Sequence, residues 1–185
     1  MDQKEPNRRE FMKRGSMAAA GIAAATVATP ARPVVGANDR VNIAVIGIRG
    51  RGKDHYLGFT AIKDVQIKTL CDPDENLFAA GCDEVEKLQK MRPKTEFDLR
   101  KVFEDKDIDA VSVATPDHWH ALASIWACQA GKHVYVEKPV SHNIWESRKL
   151  VEAARRYRRV VCAGMQNRSI GGVREAIKFL HEGKL

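Results

Sequence analysis

Val41-Asn42-Ile43-Ala44-Val45-Ile46-Gly47-Ile48-Arg49-Gly50-Arg51-Gly52 is the stretch that decides the fold. Its first six residues form a short apolar run that stops at glycine, the pattern of a buried strand. A glycine-dense turn follows at once, and the residues after it read as a helix to about Lys63. Strand, glycine turn and helix together make the setting in which free N–H groups at a helix N-terminus receive a diphosphate. Gly47 permits the tight turn, and Gly52 lets the helix pack close to the strand. The pattern departs from G-x-G-x-x-G at one place. Arg49 stands where the second glycine normally lets backbone approach the pyrophosphate. Gly50, next door, is expected to restore that approach, with Arg49 and Arg51 adding positive charge for the phosphates.

The second strand strengthens the reading. Val65-Gln66-Ile67-Lys68-Thr69-Leu70-Cys71-Asp72 ends in an acid 20 residues after Gly52. That is the spacing of a ribose-binding carboxylate. A carboxylate there accepts hydrogen bonds from ribose hydroxyls and repels a 2′-phosphate, so NAD is expected in preference to NADP. The alternative for Asp72 is a helix cap ahead of Pro73. Further on, the pattern predicts helices over 74–91, 98–104, 118–130, 143–157 and 173–180, the fourth capped by Ser141. Strands are predicted over 94–97, 109–114, 133–137 and 160–165. Alternation of this kind specifies an α/β fold with a doubly wound parallel sheet.

Composition agrees with one folded domain plus an appendage. The chain has 185 residues, 44% of them hydrophobic and 30% charged, with a formal net charge of +7. The first 37 residues hold six Lys or Arg against three acids, which leaves 25 bases and 21 acids elsewhere. No basic stripe with interleaved aromatics stands out, so a nucleic acid is not an expected partner. Cys71, Cys82, Cys128 and Cys162 form no C-x-x-C pair. Each falls in a predicted strand or helix and reads as a small buried apolar residue. His118-Trp119-His120 tempts a metal reading, but two histidines at i, i+2 on a helix start point apart, and no metal is expected.

Residues 1–37 are set apart from the fold. Asn7-Arg8-Arg9-Glu10-Phe11-Met12-Lys13 resembles the twin-arginine export motif, with Asn7 where Ser or Thr is usual. The Ala- and Gly-rich stretch over 15–28 is too short and too weakly apolar for a typical membrane-spanning helix, so no stable membrane anchor is expected. Val35-Gly36-Ala37 and Thr26-Val27-Ala28 are two candidate cleavage sites. A plain basic tail is the alternative. The expectation is a signal peptide over 1–37, export to the periplasm, and a nucleotide-binding domain over 38–185. The twin-arginine route moves folded proteins, which suits a chain that takes up a dinucleotide before it leaves.

Two more motifs carry a family resemblance. Ala114-Thr115-Pro116-Asp117-His118-Trp119-His120-Ala121 follows one predicted strand, and Glu137-Lys138-Pro139 follows the next. With the glycine turn, they make the chain resemble the Gfo/Idh/MocA oxidoreductases, the glucose–fructose oxidoreductase and inositol dehydrogenase family, over residues 39–185. The resemblance implies a Rossmann NAD(P)-binding domain in which Gly47, Arg49, Gly50, Arg51, Gly52 and Asp72 meet the cofactor. It places Thr115, Pro116 and His120 along the nicotinamide ribose and Glu137 and Lys138 beside the nicotinamide. Lys138 is the implied catalytic residue, holding a substrate hydroxyl, and Pro139 fixes its turn through a cis bond. Gln166 and Arg168 fall at the same edge. The residues alone also allow Lys138 as a surface lysine and His118 as a helix-start residue making local hydrogen bonds.

Family members continue into a second α/β domain that supplies most substrate contacts and the oligomer interface. This chain reaches Gly183-Lys184-Leu185 before it, so the C-terminal substrate domain is expected to be absent. A sugar, polyol or related hydroxyl substrate would engage once that domain is supplied, and a homo-oligomer is the expected assembly. Three functions stand side by side: an NAD(P)-dependent oxidoreductase, an NAD-dependent glycosidase of the same fold, and a non-catalytic dinucleotide-binding module.

Overall fold

A computed structural model describes residues 40–184, and the export motif, its cleavage sites and the 1–37 boundary lie outside them. Strand β1 (Val41–Ile46) leads into α1 (Arg51–Thr60), then β2 (Val65–Cys71), α2 (Phe78–Gln89), β3 (Lys94–Glu96) and α3 (Leu99–Glu104). Next come β4 (Ala110–Val113), α4 (Asp117–Gln129), β5 (His133–Glu137), α5 (Ile144–Arg156), β6 (Val161–Gly164) and α6 (Gly171–His181). The six strands lie in the order β3-β2-β1-β4-β5-β6, all neighbours parallel. The expected doubly wound α/β sheet is therefore present, and its order reverses between β1 and β4. Beyond the carboxyl ends of the strands at such a reversal an open sheet has its ligand crevice.

Side chains alternate across a strand, so a strand with helices on both faces needs apolar residues at every position. In β1, Ala44 and Ile46 join a core with Val111, Val113, Val134 and Val136 beneath α3, α4 and α5. Ile43 and Val45 point the other way, into a second core with Ile67 and Leu70 against Tyr56 of α1 and Cys82 and Val85 of α2. The second face changes character toward β5. There Ser112, Tyr135 and Glu137 replace the aliphatic residues, opposite His55 and Phe59 of α1.

Some local expectations need correction. The helix predicted over 74–91 begins as a 3-10 turn, Glu75–Leu77, capped by Asp74, and ends where Lys90 turns left-handed. Asn143, not Ser141, caps α5. Its side chain accepts from the Glu146 amide at 3.0 Å while Glu146 reaches back to the His142 amide at 3.0 Å. The first bond satisfies a free donor of the helix start, and the second ties down the amide just ahead of the cap. Ser141 instead donates to the Asn143 carbonyl. Cys71, Cys82 and Cys128 are buried as expected, but Cys162 is exposed. It sits on edge strand β6, on the face that the helices of the first core do not cover. Among the described residues no helix is long and apolar enough to cross a membrane, and no cluster of three or more metal-ligating side chains forms.

Candidate functional site

The turn after β1 is held by contacts that leave no room for side chains at two of its glycines. Gly47 has φ of +81°, and a Cβ there would lie 2.7 Å from the Ala114 carbonyl oxygen, at the end of β4. A Cβ on Gly52 would lie 1.7 Å from the Gly47 carbonyl oxygen, an impossible contact. These two residues let α1 start directly over the end of β1. Gly50, at the helix cap with φ of +50°, differs: a Cβ there would meet nothing within 4 Å. Its backbone borders open space, as the sequence required once Arg49 displaced the usual glycine.

Asp72 follows β2 and turns back toward this loop. One carboxylate oxygen accepts from the Ile48 amide and the other from the Asp74 amide, each at 2.9 Å. It is buried, and it lines a cleft of about 790 Å³ together with Gly47, Arg49, Pro73, Thr115 and Pro116. Each carboxylate oxygen carries two lone pairs and here meets one amide, so acceptor capacity remains on the cleft side. Leu99, Trp119 and Trp126 make the apolar part of the wall. The hydroxyl oxygen of Thr115 is buried without a hydrogen-bond partner.

The other motif residues divide into those that line the cleft and those that hold it together. His118 is in the lining, while His120 is buried beneath it. The two ring nitrogens of His120 lie 2.8 Å from the Thr115 carbonyl and 2.5 Å from the Pro139 carbonyl, clasping the two motif loops to each other. Arg49 pairs with Asp74 at the cleft edge. Arg51 points away from the cleft lining. Its Nε donates to Glu137 at 2.9 Å and its Nη1 to Asp54 at 2.9 Å. Gln166, with its amide oxygen turned toward Arg51, accepts from Nη2 at 2.9 Å and donates to the Gly164 carbonyl at 2.6 Å.

Lys138 is exposed at the carboxyl end of β5, and the Lys138–Pro139 bond is cis as expected. Its amide donates to Glu137 Oε2 at 3.0 Å. Burial disfavours the charged form of Glu137, but hydrogen bonds from Arg51, His55 and that amide outweigh it and hold the carboxyl at about 2. His55 and Ser112 were not singled out by the sequence reading. The available signal was spacing: Arg51 and His55 are four apart on α1 and so share one helix face.

The arrangement defines a dinucleotide-binding domain: a sheet reversal, a glycine turn feeding a helix N-terminus, and a buried acid with spare acceptors in the adjoining cleft. The model of the Gfo/Idh/MocA oxidoreductase family, NAD-binding Rossmann fold, matches residues 41–165, and the chain belongs to that family. A glycosyl hydrolase family 109 protein from Shewanella pealeana is 29% identical over 184 aligned positions, covering 89% of this chain and 40% of that protein. Myo-inositol 2-dehydrogenase from Lactobacillus plantarum superposes with a TM-score of 0.70 at 22% identity, over 78% of this chain and 42% of that one. A scyllo-inositol dehydrogenase from Lactobacillus casei with bound NAD(H) and scyllo-inositol superposes with a TM-score of 0.67 at 23% identity, over 78% and 42% of the two chains. At that identity the superpositions speak for the fold. The chain spans about 40% of the length of these relatives.

Proposed function

We propose that this chain is the nucleotide-binding half of an oxidoreductase that uses NAD on a sugar, polyol or related hydroxyl compound. The observation that carries the reading is Asp72, a buried carboxylate with free lone pairs in the cleft at the sheet reversal. The residues present fit the cofactor. The start of α1 offers N–H groups to a diphosphate, and bare backbone at Gly50 leaves room for its approach. Asp72 accepts from ribose hydroxyls, Thr115 supplies a hydroxyl in want of a partner, and the wall of Leu99, Trp119 and Trp126 suits the flat face of a base. When bound, the nicotinamide supplies the acceptor or donor of a hydride. Lys138 stands on the neighbouring strand end to hold a substrate hydroxyl and take up or return its proton.

Charge at Asp72 sets the preference for NAD, since a 2′-phosphate beside it would be repelled. Asp72→Asn keeps an acceptor for the Ile48 amide and removes the charge. Calorimetric titration should show NAD affinity falling about tenfold, the loss of a charged hydrogen bond, while the NAD-to-NADP ratio narrows. An unchanged ratio, or no NAD binding by the parent chain, would overturn the reading.

The likeness to a glycosyl hydrolase family 109 protein supports a second reading, an NAD-dependent glycosidase. Both readings use hydride transfer at a sugar carbon and differ in whether the hydride is returned. Net NADH from a free polyol favours the first. Release of phenol from an aryl glycoside without net NADH favours the second.

A further inference from the structure

A line of hydrogen bonds runs under the cleft without entering it. It starts at Ser112 on β4, passes through His55 on α1 and ends on Glu137 of β5. Ser112 Oγ lies 2.7 Å from His55 Nδ1, and His55 Nε2 lies 3.0 Å from Glu137 Oε1. All three residues are buried, and the imidazole is wedged edge-on against Tyr135 and Phe59. With hydrogen on Nε2, the ring donates to the carboxylate and Nδ1 accepts from the Ser112 hydroxyl, so each polar atom of the line is satisfied. Arg51 already supplies the acid with a cation. A buried carboxylate is costly unless fully paired and bonded, so a site that needed only filling would be expected to hold an apolar side chain. The use of this one lies on its far oxygen, Oε2, which accepts from the Lys138 amide.

We propose that His55 is a positioning residue for Lys138: its ring, braced by Ser112, fixes the Glu137 carboxylate, and that carboxylate fixes the backbone of the lysine. The functional meaning rests on the reading of Lys138 given above. The ring is the only part of the line that touches both the β4 serine and the β5 acid. Its orientation is therefore passed to the strand end through one rigid pair of oxygens, whereas Arg51 reaches the acid from a partly exposed side chain. Lys138 Nζ touches none of these groups, so what is controlled is where the lysine stands rather than its charge.

The experiment uses the 185-residue chain and three variants. His55→Gln keeps a donor near the place of Nε2, His55→Asn keeps only an atom facing Ser112, and Ser112→Ala removes the brace while leaving the ring. Amide hydrogen exchange at Lys138 is read by NMR against that at Val113, which reports opening of the central sheet. In His55→Asn, protection of Lys138 relative to Val113 should fall about tenfold, the equivalent of one lost hydrogen bond. His55→Gln should restore most of it, and Ser112→Ala should lie between. If His55→Asn does not fold, unchanged relative protection in Ser112→Ala, or a loss in His55→Gln larger than in Ser112→Ala, overturns the proposal by itself. Unchanged relative protection in Ser112→Ala and His55→Asn, or a loss in His55→Gln as large as in His55→Asn, overturns the proposal. NAD titration of the same samples separates the two readings. Failure to bind NAD with the exchange pattern as expected removes the dinucleotide reading and leaves the positioning role. NAD binding with no change at Lys138 does the reverse.

Discussion

Asp72 and Glu137 terminate the β2 and β5 regions on opposite sides of the sheet reversal, both buried, and they spend their negative charge differently. Asp72 is held by two backbone amides and keeps lone pairs on the cleft side. Glu137 is enclosed by His55, Arg51 and the Lys138 amide, and it lies outside the cleft lining. The difference teaches how to read a buried acid in this fold. The acid bonded only by backbone amides faces the cleft, and the one bonded by two side chains of α1, a cation among them, ties that helix to the strand end. Motif position alone does not separate the two, since both stand at strand ends where ligands gather.

The most drastic way to break this contrast is to remove the turn on which the cleft is built. Gly52→Ala would put a methyl group into the Gly47 carbonyl, a Cβ fixed by its own backbone against a backbone oxygen, with nothing able to swing aside. A loss of about 4 kcal/mol or more is expected, in the range reserved for buried steric faults. Chemical denaturation of the variant, or its failure to accumulate folded, checks this.

Glu137→Gln breaks one side only. Glu137 is buried but Arg51 is partly exposed and stays solvated when the charge is removed, so the loss is that of charged hydrogen bonds, about 1.5–3 kcal/mol near neutral pH. The pH dependence sharpens the point. The folded-state pKa of Glu137 lies at about 2, below the ordinary glutamate value of 4.5. The stability it contributes is thus fully present above 4.5 and is lost as pH falls from there toward 2. Stability should fall more steeply between those limits in the parent chain than in the Gln variant, which keeps only the slope of the other paired acids such as Asp98. Equal slopes would mean that the acid is not held as the geometry indicates. Asp72→Asn should cost the fold about 1–2 kcal/mol, because its one oxygen serves only one of the Ile48 and Asp74 amides and its NH2 faces the other, and its further effect belongs to ligand binding.

The order of strands and helices was legible because both sheet faces are covered through β1, leaving continuous apolar runs punctuated by glycine. Strand 133–137 matches its predicted bounds. The tight turn at Gly47 and Gly52 and the position of Asp72 beside it were legible because they are local, set by distance along one strand–turn–helix unit. The cap of α5 was legible too, in the Asn143-x-x-Glu146 spacing, though Ser141 drew the reading. His55 and Ser112 were not. Their meeting depends on how β4 and β5 pair, with Ser112 opposite Tyr135, and on α1 lying across them. The contact of Arg51 with Glu137 was hidden for the same reason: beside a glycine turn it reads as a phosphate ligand, and the packing of α1 brings it to β5.

Helix α6 has a consequence of its own. Val173, Ile177 and Leu180 fall on one stripe at i, i+4 and i+7, yet no residue of the helix is buried. It therefore lies outside the cooperative unit formed by the sheet, and its amides should exchange by local unfolding, far faster than those of β1 and β4. Among the described residues, limited proteolysis should cut first between 166 and 184 and leave a core whose stability is nearly unchanged, a difference of about 0.5 kcal/mol or less. Resistance of that segment until the whole sheet melts would contradict this. Otherwise the described residues form two thermodynamic pieces of very different endurance, and both buried acids belong to the lasting one.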